Sequence, residues 1–100
     1  MKRDTIAELE IDAAGRLHVT PSTETFPYIY REAMEINWDP DRQSLYSPAP
    51  REWWYSRWLQ QILGAAAEQG CVLQLSTDTG WQNIDPGLKA ELVQVFGTEA

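Results

Sequence analysis

From Thr5 to Asp12 the chain alternates with a period of two, setting Thr5, Ala7, Leu9 and Ile11 against Ile6, Glu8, Glu10 and Asp12. Side chains of a β-strand point to opposite faces in turn, so this pattern predicts a half-buried strand with an acidic outer face. Ala13-Ala14-Gly15 follows as a three-residue hairpin loop, glycine taking the left-handed position. That loop length fixes a register in which Asp12 faces Arg16, Ile11 faces Leu17, Glu10 faces His18 and Leu9 faces Val19. Opposite charges then meet on one face and aliphatic side chains on the other.

Further along, Pro21–Thr25 reads as a polar linker. Between Phe26 and Trp38 the even positions carry Phe26, Tyr28, Tyr30, Glu32, Met34, Ile36 and Trp38. Their spacing predicts a long strand, although Phe26, Tyr30, Ala33 and Asn37 also fit a helix. Asp39-Pro40-Asp41-Arg42 has the composition of a type I turn. It returns the chain as a short strand over Gln43–Ser47 that sets Trp38 near Leu45. Pro48 and Pro50 open a helix running to about Gln69 and capped by Gly70. A compact strand over Cys71–Ser76 and a loop over Thr77–Asn83 come next. Asp85 caps a last helix that starts at Pro86, buries Leu88, Leu92, Val95 and Phe96, and stops at Gly97. Residues 1–100 thus read as one α+β domain, a four- to five-stranded mainly antiparallel sheet packed by one long and one short helix.

Three of the five tryptophans, Trp53, Trp54 and Trp58, fall on six consecutive residues of the long helix. At 100° per residue, Trp54, Tyr55, Trp58, Leu59, Ile62, Ala65 and Ala66 form the stripe that faces the sheet. Trp53 falls off that stripe, near Arg57, Gln60 and Gly64. Either it packs under an N-terminal loop or beneath Arg57, or it meets a second chain or a ligand, with Gly64 allowing close approach. In the second case Trp53, Arg57, Gln60 and Gly64 are the interface of a homo-oligomer. A separate candidate is an aromatic cleft of Tyr28, Tyr30, Trp38 and Trp81 around Glu32, suited to a flat or cationic organic ligand.

Fifteen acidic against eight basic residues give a net charge of −7. That field disfavours nucleic acid and anionic membrane surfaces and suits a cationic ligand or a basic protein partner. The lone Cys71 cannot form an intrachain disulfide, and the charged first twelve residues lack the apolar core of a signal peptide, so a cytoplasmic protein is expected. Catalytic signals are weak. Asp78-Thr79-Gly80 matches the aspartic protease signature, but bulky Trp81 follows it and little chain remains to build a flap, so a turn explains it better. Glu8, Glu10 and Asp12 form a solvated face rather than a metal site. Asp39, Asp41 and Gln43 echo a calcium loop that lacks its glycine and its final glutamate. His18 has no nucleophile close to it in sequence, and Cys71 reads as a buried small hydrophobe. No catalytic residue, metal or cofactor is therefore expected, and a small hydrolase stands as a remote third reading.

The run Tyr30-Arg31-Glu32-Ala33-Met34-Glu35-Ile36-Asn37-Trp38-Asp39, with Leu45-Tyr46-Ser47-Pro48, Arg51-Glu52-Trp53, Trp81 and Asn83, resembles a small family of bacterial proteins carried on mobile integron gene cassettes. The resemblance spans about Ala7 to Val93. It implies a compact, oligomeric α+β domain with no catalytic residues to carry over. Binding of a toxin, a drug or a partner protein follows by analogy alone. The expected function is that of a non-enzymatic interaction protein, the alternative a small-molecule binding or sensor domain.

Overall fold

The computed structural model describes residues 2–33, 35–49 and 53–97. Met34, Pro50, Arg51 and Glu52, each given a place in the sequence reading, lie outside the described residues. Strand β1 (Lys2–Ile11) pairs antiparallel with β2 (Leu17–Pro21), and Glu10 faces His18, Leu9 faces Val19 and Ile11 faces Leu17 as the loop length requires. Gly15 adopts φ +86°, the left-handed conformation expected of it. The Asp12 amide closes the loop on the Arg16 carbonyl at 3.0 Å.

The alternation in β1 does not run through. A register shift between Ile6 and Glu8 inserts Ala7 as a bulge. One extra residue reverses the facing of everything before it. Ile6, assigned by the period to the acidic face, is therefore buried together with Leu9, and Asp4 turns inward as well. The Asp4 carboxylate accepts from the backbone amides of Thr5, Thr23 and Glu24, each at 2.9 Å. It thereby pins the chain after β2 back onto β1.

Phe26–Trp38 is not one long strand. It forms a single 3-10 turn at Ile29–Arg31 followed by the short strand β3 (Asn37–Asp39). Phe26, Ile29, Ala33 and Ile36 are the buried members, spaced three, four and three residues apart. That is helical spacing, built on Ile29 rather than Tyr30, because a tyrosine can keep its hydroxyl in water while an isoleucine has nothing to gain there. After the turn at Pro40–Gln43, β4 (Ser44–Tyr46) pairs antiparallel with β3, and Trp38 sits opposite Leu45. Asp39 Oδ1 accepts from the Asp41 and Arg42 amides and holds the corner.

Helix α1 (Tyr55–Glu68) begins later than the prolines predicted and buries Trp58, Leu59, Ile62, Ala65 and Ala66. It packs mainly on β5 (Cys71–Gln74), with Gly70 at φ +90° making the turn between them. Parallel strand β5 lies along the first half of β1, Thr5 opposite Gln74. A short parallel strand, β6 (Gly80–Gln82), lies along the second half, Glu8 opposite Gly80. The segment read as a loop therefore supplies a sixth strand. Two β1 residues, Ile6 and Ala7, face an excursion of five, Leu75–Thr79, and this is where β1 itself bulges. Helix α2 (Pro86–Phe96) starts with the Asp85 carboxylate accepting from the Leu88 amide at 3.0 Å. Leu88 and Leu92 are buried, Phe96 is half-buried, and Val95 is 60% exposed because the last turn overhangs the core.

The result is an α+β fold with sheet order β3-β4-β2-β1-β5, β6 adding to β1 beside β5. Three pairings are antiparallel and two parallel. No helix among the described residues is long and apolar enough to cross a membrane.

Candidate functional site

The tryptophan cluster takes its geometry from where α1 begins. A residue preceding the first helical position has no defined angle on the helical wheel. Trp54 is the N-cap, extended at φ −80° and ψ 168°, so neither it nor Trp53 follows the wheel. The two exchange the roles that periodicity assigned. Trp53 is half-buried, its ring 4.7 Å from that of Trp58 and covered on the Arg57 side by the guanidinium at 4.5 Å. Trp54, placed by the period on the buried stripe, is 54% exposed. Its ring meets Tyr55 edge-on at 5.0 Å and its Nε1–H donates to Glu91 of α2 at 3.3 Å. Tyr55 is half-buried and its hydroxyl donates to the Gly15 carbonyl at 2.8 Å, tying the helix start to the hairpin loop. Of the four interface candidates, Arg57, Gln60 and Gly64 stay exposed on α1, and nothing lies within 4 Å of the position a Gly64 side chain would take. Only Trp53 is turned inward.

Beside Trp54 lies a groove of about 400 Å³ lined by Ile11, Tyr55, Ile84, Asp85 and Leu88. It runs between the start of α1, the end of β1 and the start of α2. Periodicity could not reveal it, since its lining comes from three separate stretches of the chain, at Ile11, Trp54–Tyr55 and Asn83–Leu88.

The aromatic cleft expected from Tyr28, Tyr30, Glu32, Trp38 and Trp81 does not assemble. Tyr28 and Tyr30 are both exposed around the 3-10 turn, their rings 6.5 Å apart, with Arg31 4.9 Å over Tyr28. The Glu32 carboxylate is exposed and bonded to the Gln69 amide at the end of α1, so it is no internal charge. Trp38 packs edge-on against buried Phe26 at 6.1 Å. Trp81, on β6, is separated from Trp38 by β4, β2 and β1. Those four inter-strand steps come to roughly 19 Å at about 4.8 Å each. Trp81 instead lines a different cavity, with Lys89 Nζ 5.6 Å from its ring centre.

The structure adds a group that sequence proximity concealed. Strand β4 carries Ser44 to His18, whose Nδ1 lies 2.9 Å from Ser44 Oγ, and His18 Nε2 lies 2.8 Å from Asp12 Oδ2. With the Nε2 proton given to the carboxylate, Nδ1 accepts from the serine hydroxyl. A nucleophile does therefore stand beside the histidine, 26 residues away in the chain. Serine, histidine and aspartate in line resemble a hydrolytic triad, but Ser44 is 0% and His18 2% exposed. Tyr46 stacks on the imidazole at 5.2 Å, and Arg16 lies over the other ring at the same distance. No acyl group can reach a serine so enclosed, and the network is a polar clasp joining β1, β2 and β4. Partial burial works to raise the Asp12 carboxyl. The Arg16 backbone amide, the His18 ring and the Arg16 guanidinium outweigh it and hold the group well below the usual carboxylate range.

Asp78-Thr79-Gly80 also proves structural. The Thr79 hydroxyl accepts from the Ser76 amide at 2.9 Å and donates to the Ile6 carbonyl at 2.7 Å, closing the excursion against the β1 bulge. Burial pushes the Cys71 thiol up, helped by Glu24 and Asp4. No three His, Cys, Asp or Glu side chains among the described residues are grouped so as to hold a metal ion.

Fold and surface together define a small α+β protein whose polar clusters are locked into structure and whose free chemistry is aromatic. The sequence profile of the integron cassette protein Hfx_Cass5 matches residues 4–79. A solved structure of the integron cassette protein Hfx_Cass5, from the mobile metagenome of the North West Arm sewage outfall, is 54% identical over 94% of this chain and 95% of that one, with a TM-score of 0.49. The chain belongs to the Hfx_Cass5 integron cassette protein family. No curated protein matches it.

Proposed function

We propose that this protein is a non-enzymatic interaction protein of the bacterial cytoplasm that binds a second copy of itself through the aromatic surface at the start of α1. The observation that carries this reading is Trp54, a tryptophan more than half exposed beside a groove of mixed apolar and polar lining. Tryptophan and arginine are the residues that most often carry interface energy, and a tryptophan left in water at a helix start is costly unless something covers it. The anchor thus moves from Trp53 to Trp54, with the exposed face of Arg57, Gln60 and Gly64 on the same helix. The enclosed serine and histidine count against a hydrolase. The single buried cysteine suits a reducing compartment.

Sedimentation velocity of the wild type and of Trp54→Ala over about 5–500 µM tests the reading, a range that brackets the micromolar constants of small interfaces. A concentration-dependent dimer in the wild type, weakened at least about tenfold in Trp54→Ala with an unchanged melting curve, is the expected result. A wild type that stays monomeric throughout, or a Trp54→Ala dimer of undiminished affinity, overturns it.

A further inference from the structure

The geometry points to a second binding site, independent of the α1 surface: the cleft between the Leu75–Thr79 excursion and α2 binds a small planar organic anion, such as an aromatic carboxylate. The cavity is about 480 Å³, within the range of small-molecule sites, and it is walled by Trp81 and floored by buried Leu75, with Val93 of α2 at its edge. Periodicity sets Trp81 beside Glu32, an arrangement suited to a flat or cationic ligand. The cleft carries the opposite sign. None of the described residues lining it is acidic, although the chain holds fifteen carboxylate side chains against eight basic ones. Among the described residues the one charged group lining it is Lys89, which makes no ion pair with a carboxylate there.

Lys89 is held in place without being neutralised. Its ammonium lies 5.6 Å from the Trp81 ring centre, a weak cation–π contact that a carboxylate readily replaces. An incoming acid exchanges the ring face for its own flat body and draws the ammonium onto its oxygens. Gln74 and Thr77 line the same cavity and supply further hydrogen-bond donors. The Thr79 hydroxyl is already spent on the Ile6 carbonyl, which fixes the wall that these groups stand on. In a chain of net charge −7, a local site with no carboxylate among its described lining residues lets an anion approach where the rest of the surface repels it.

The test is a titration of the full chain with naphthoate, naphthamide and naphthylmethylammonium, followed by amide and indole NMR shifts. The Trp81 indole signal is assigned from Trp81→Phe. A ligand of this size filling one cleft is expected to bind at about 1 mM or tighter. Naphthoate should move the Trp81 indole and the Lys89 amide and bind at least about fivefold tighter than naphthamide, the cation binding weakest. Lys89→Gln, a change at an exposed position, should bring acid and amide to equal affinity while leaving the melting curve unchanged. Raising NaCl from about 20 to about 500 mM should weaken the acid and spare the amide. Equal affinity of acid and amide in the wild type overturns the inference. So do a Lys89→Gln protein that still prefers the acid, shifts that map away from Trp81, and no shift with naphthoate, benzoate or indole acetate at about 10 mM.

Discussion

Replacing Thr79 by valine keeps its shape and removes one hydroxyl that serves two backbone groups. The Ile6 carbonyl is buried at the β1 bulge and receives the Thr79 proton at 2.7 Å. The Ser76 amide, partly buried, donates to the same oxygen at 2.9 Å. A buried polar group left unsatisfied costs about 1–3 kcal/mol. Ser76 can reach water in part and falls at the low end, so Thr79→Val should cost about 2–3 kcal/mol, a large share of the roughly 5–15 kcal/mol that holds a domain of this size. In urea the midpoint should fall by about 1–3 M, for a slope of the order of 1–2 kcal/mol/M. Thr79→Ser restores the hydroxyl and should regain most of the loss. Asp78→Asn, at an exposed position, should stay within about 0.5 kcal/mol of the wild type. A Thr79→Val protein as stable as the wild type would refute the bridging role. A collapse of stability in Asp78→Asn would refute the reading of Asp78-Thr79-Gly80 as a turn.

Trp53→Ala removes a half-buried ring from between Trp58 and Arg57 and should cost about 1.5–3 kcal/mol by urea unfolding, below the 3–5 of a fully buried aromatic, whereas Trp54→Ala should fall within about 0.5. Burial works to raise the Asp4 carboxyl, but the amides of Glu24, Thr23 and Thr5 bond its charged form and lower it below its unfolded value of 3.8. Its stabilisation is therefore complete above the unfolded value and lost as pH falls through the lower folded one. Asp4→Asn should be less stable than the wild type at neutral pH and show a shallower loss of stability below about pH 4, read from urea midpoints across pH. Gly15→Ala forces a side chain into φ +86° beneath the Tyr55 hydroxyl and should cost about 1–2 kcal/mol by thermal melting.

The hairpin was legible residue by residue because a three-residue loop with glycine leaves one register for a strand with one buried face. The same holds for α2, whose Asp85-Pro86 start is a local signal. What sequence hid was non-local. The phase reversal at Ala7 depends on Leu75–Thr79 arriving from across the sheet, and nothing in residues 1–12 encodes that. Strand β6 has three residues, too short for any period. Of the candidate site, the importance of the tryptophan cluster was legible and the identity of its exposed member was not. Wheel angles apply only inside a helix, and α1 starts at Tyr55, after both Trp53 and Trp54.

The polar groups that looked most like chemistry are those the fold has used up. Asp12, His18 and Ser44 satisfy one another inside a sheet, Thr79 closes a bulge, Asp4 holds three amides, and the Cys71 thiol is buried. A small domain has little surface to spare, and each such group costs more unpaired than a surface group does, so its burial with a partner argues for structure. The opposite argument applies to what remains uncommitted. The Trp54 ring is left more than half in water when Trp53, its neighbour, packs on Trp58, and Lys89 makes no ion pair among the described residues in a chain with almost twice as many acids as bases. Neither position is required by the core. A side chain that could have been satisfied at no cost to the fold, and is not, marks the place where a partner's contribution is missing. By that reasoning Trp54 and Lys89 define two surfaces, and in single variants Trp54→Ala should lose self-association with anion binding kept, and Lys89→Gln the reverse.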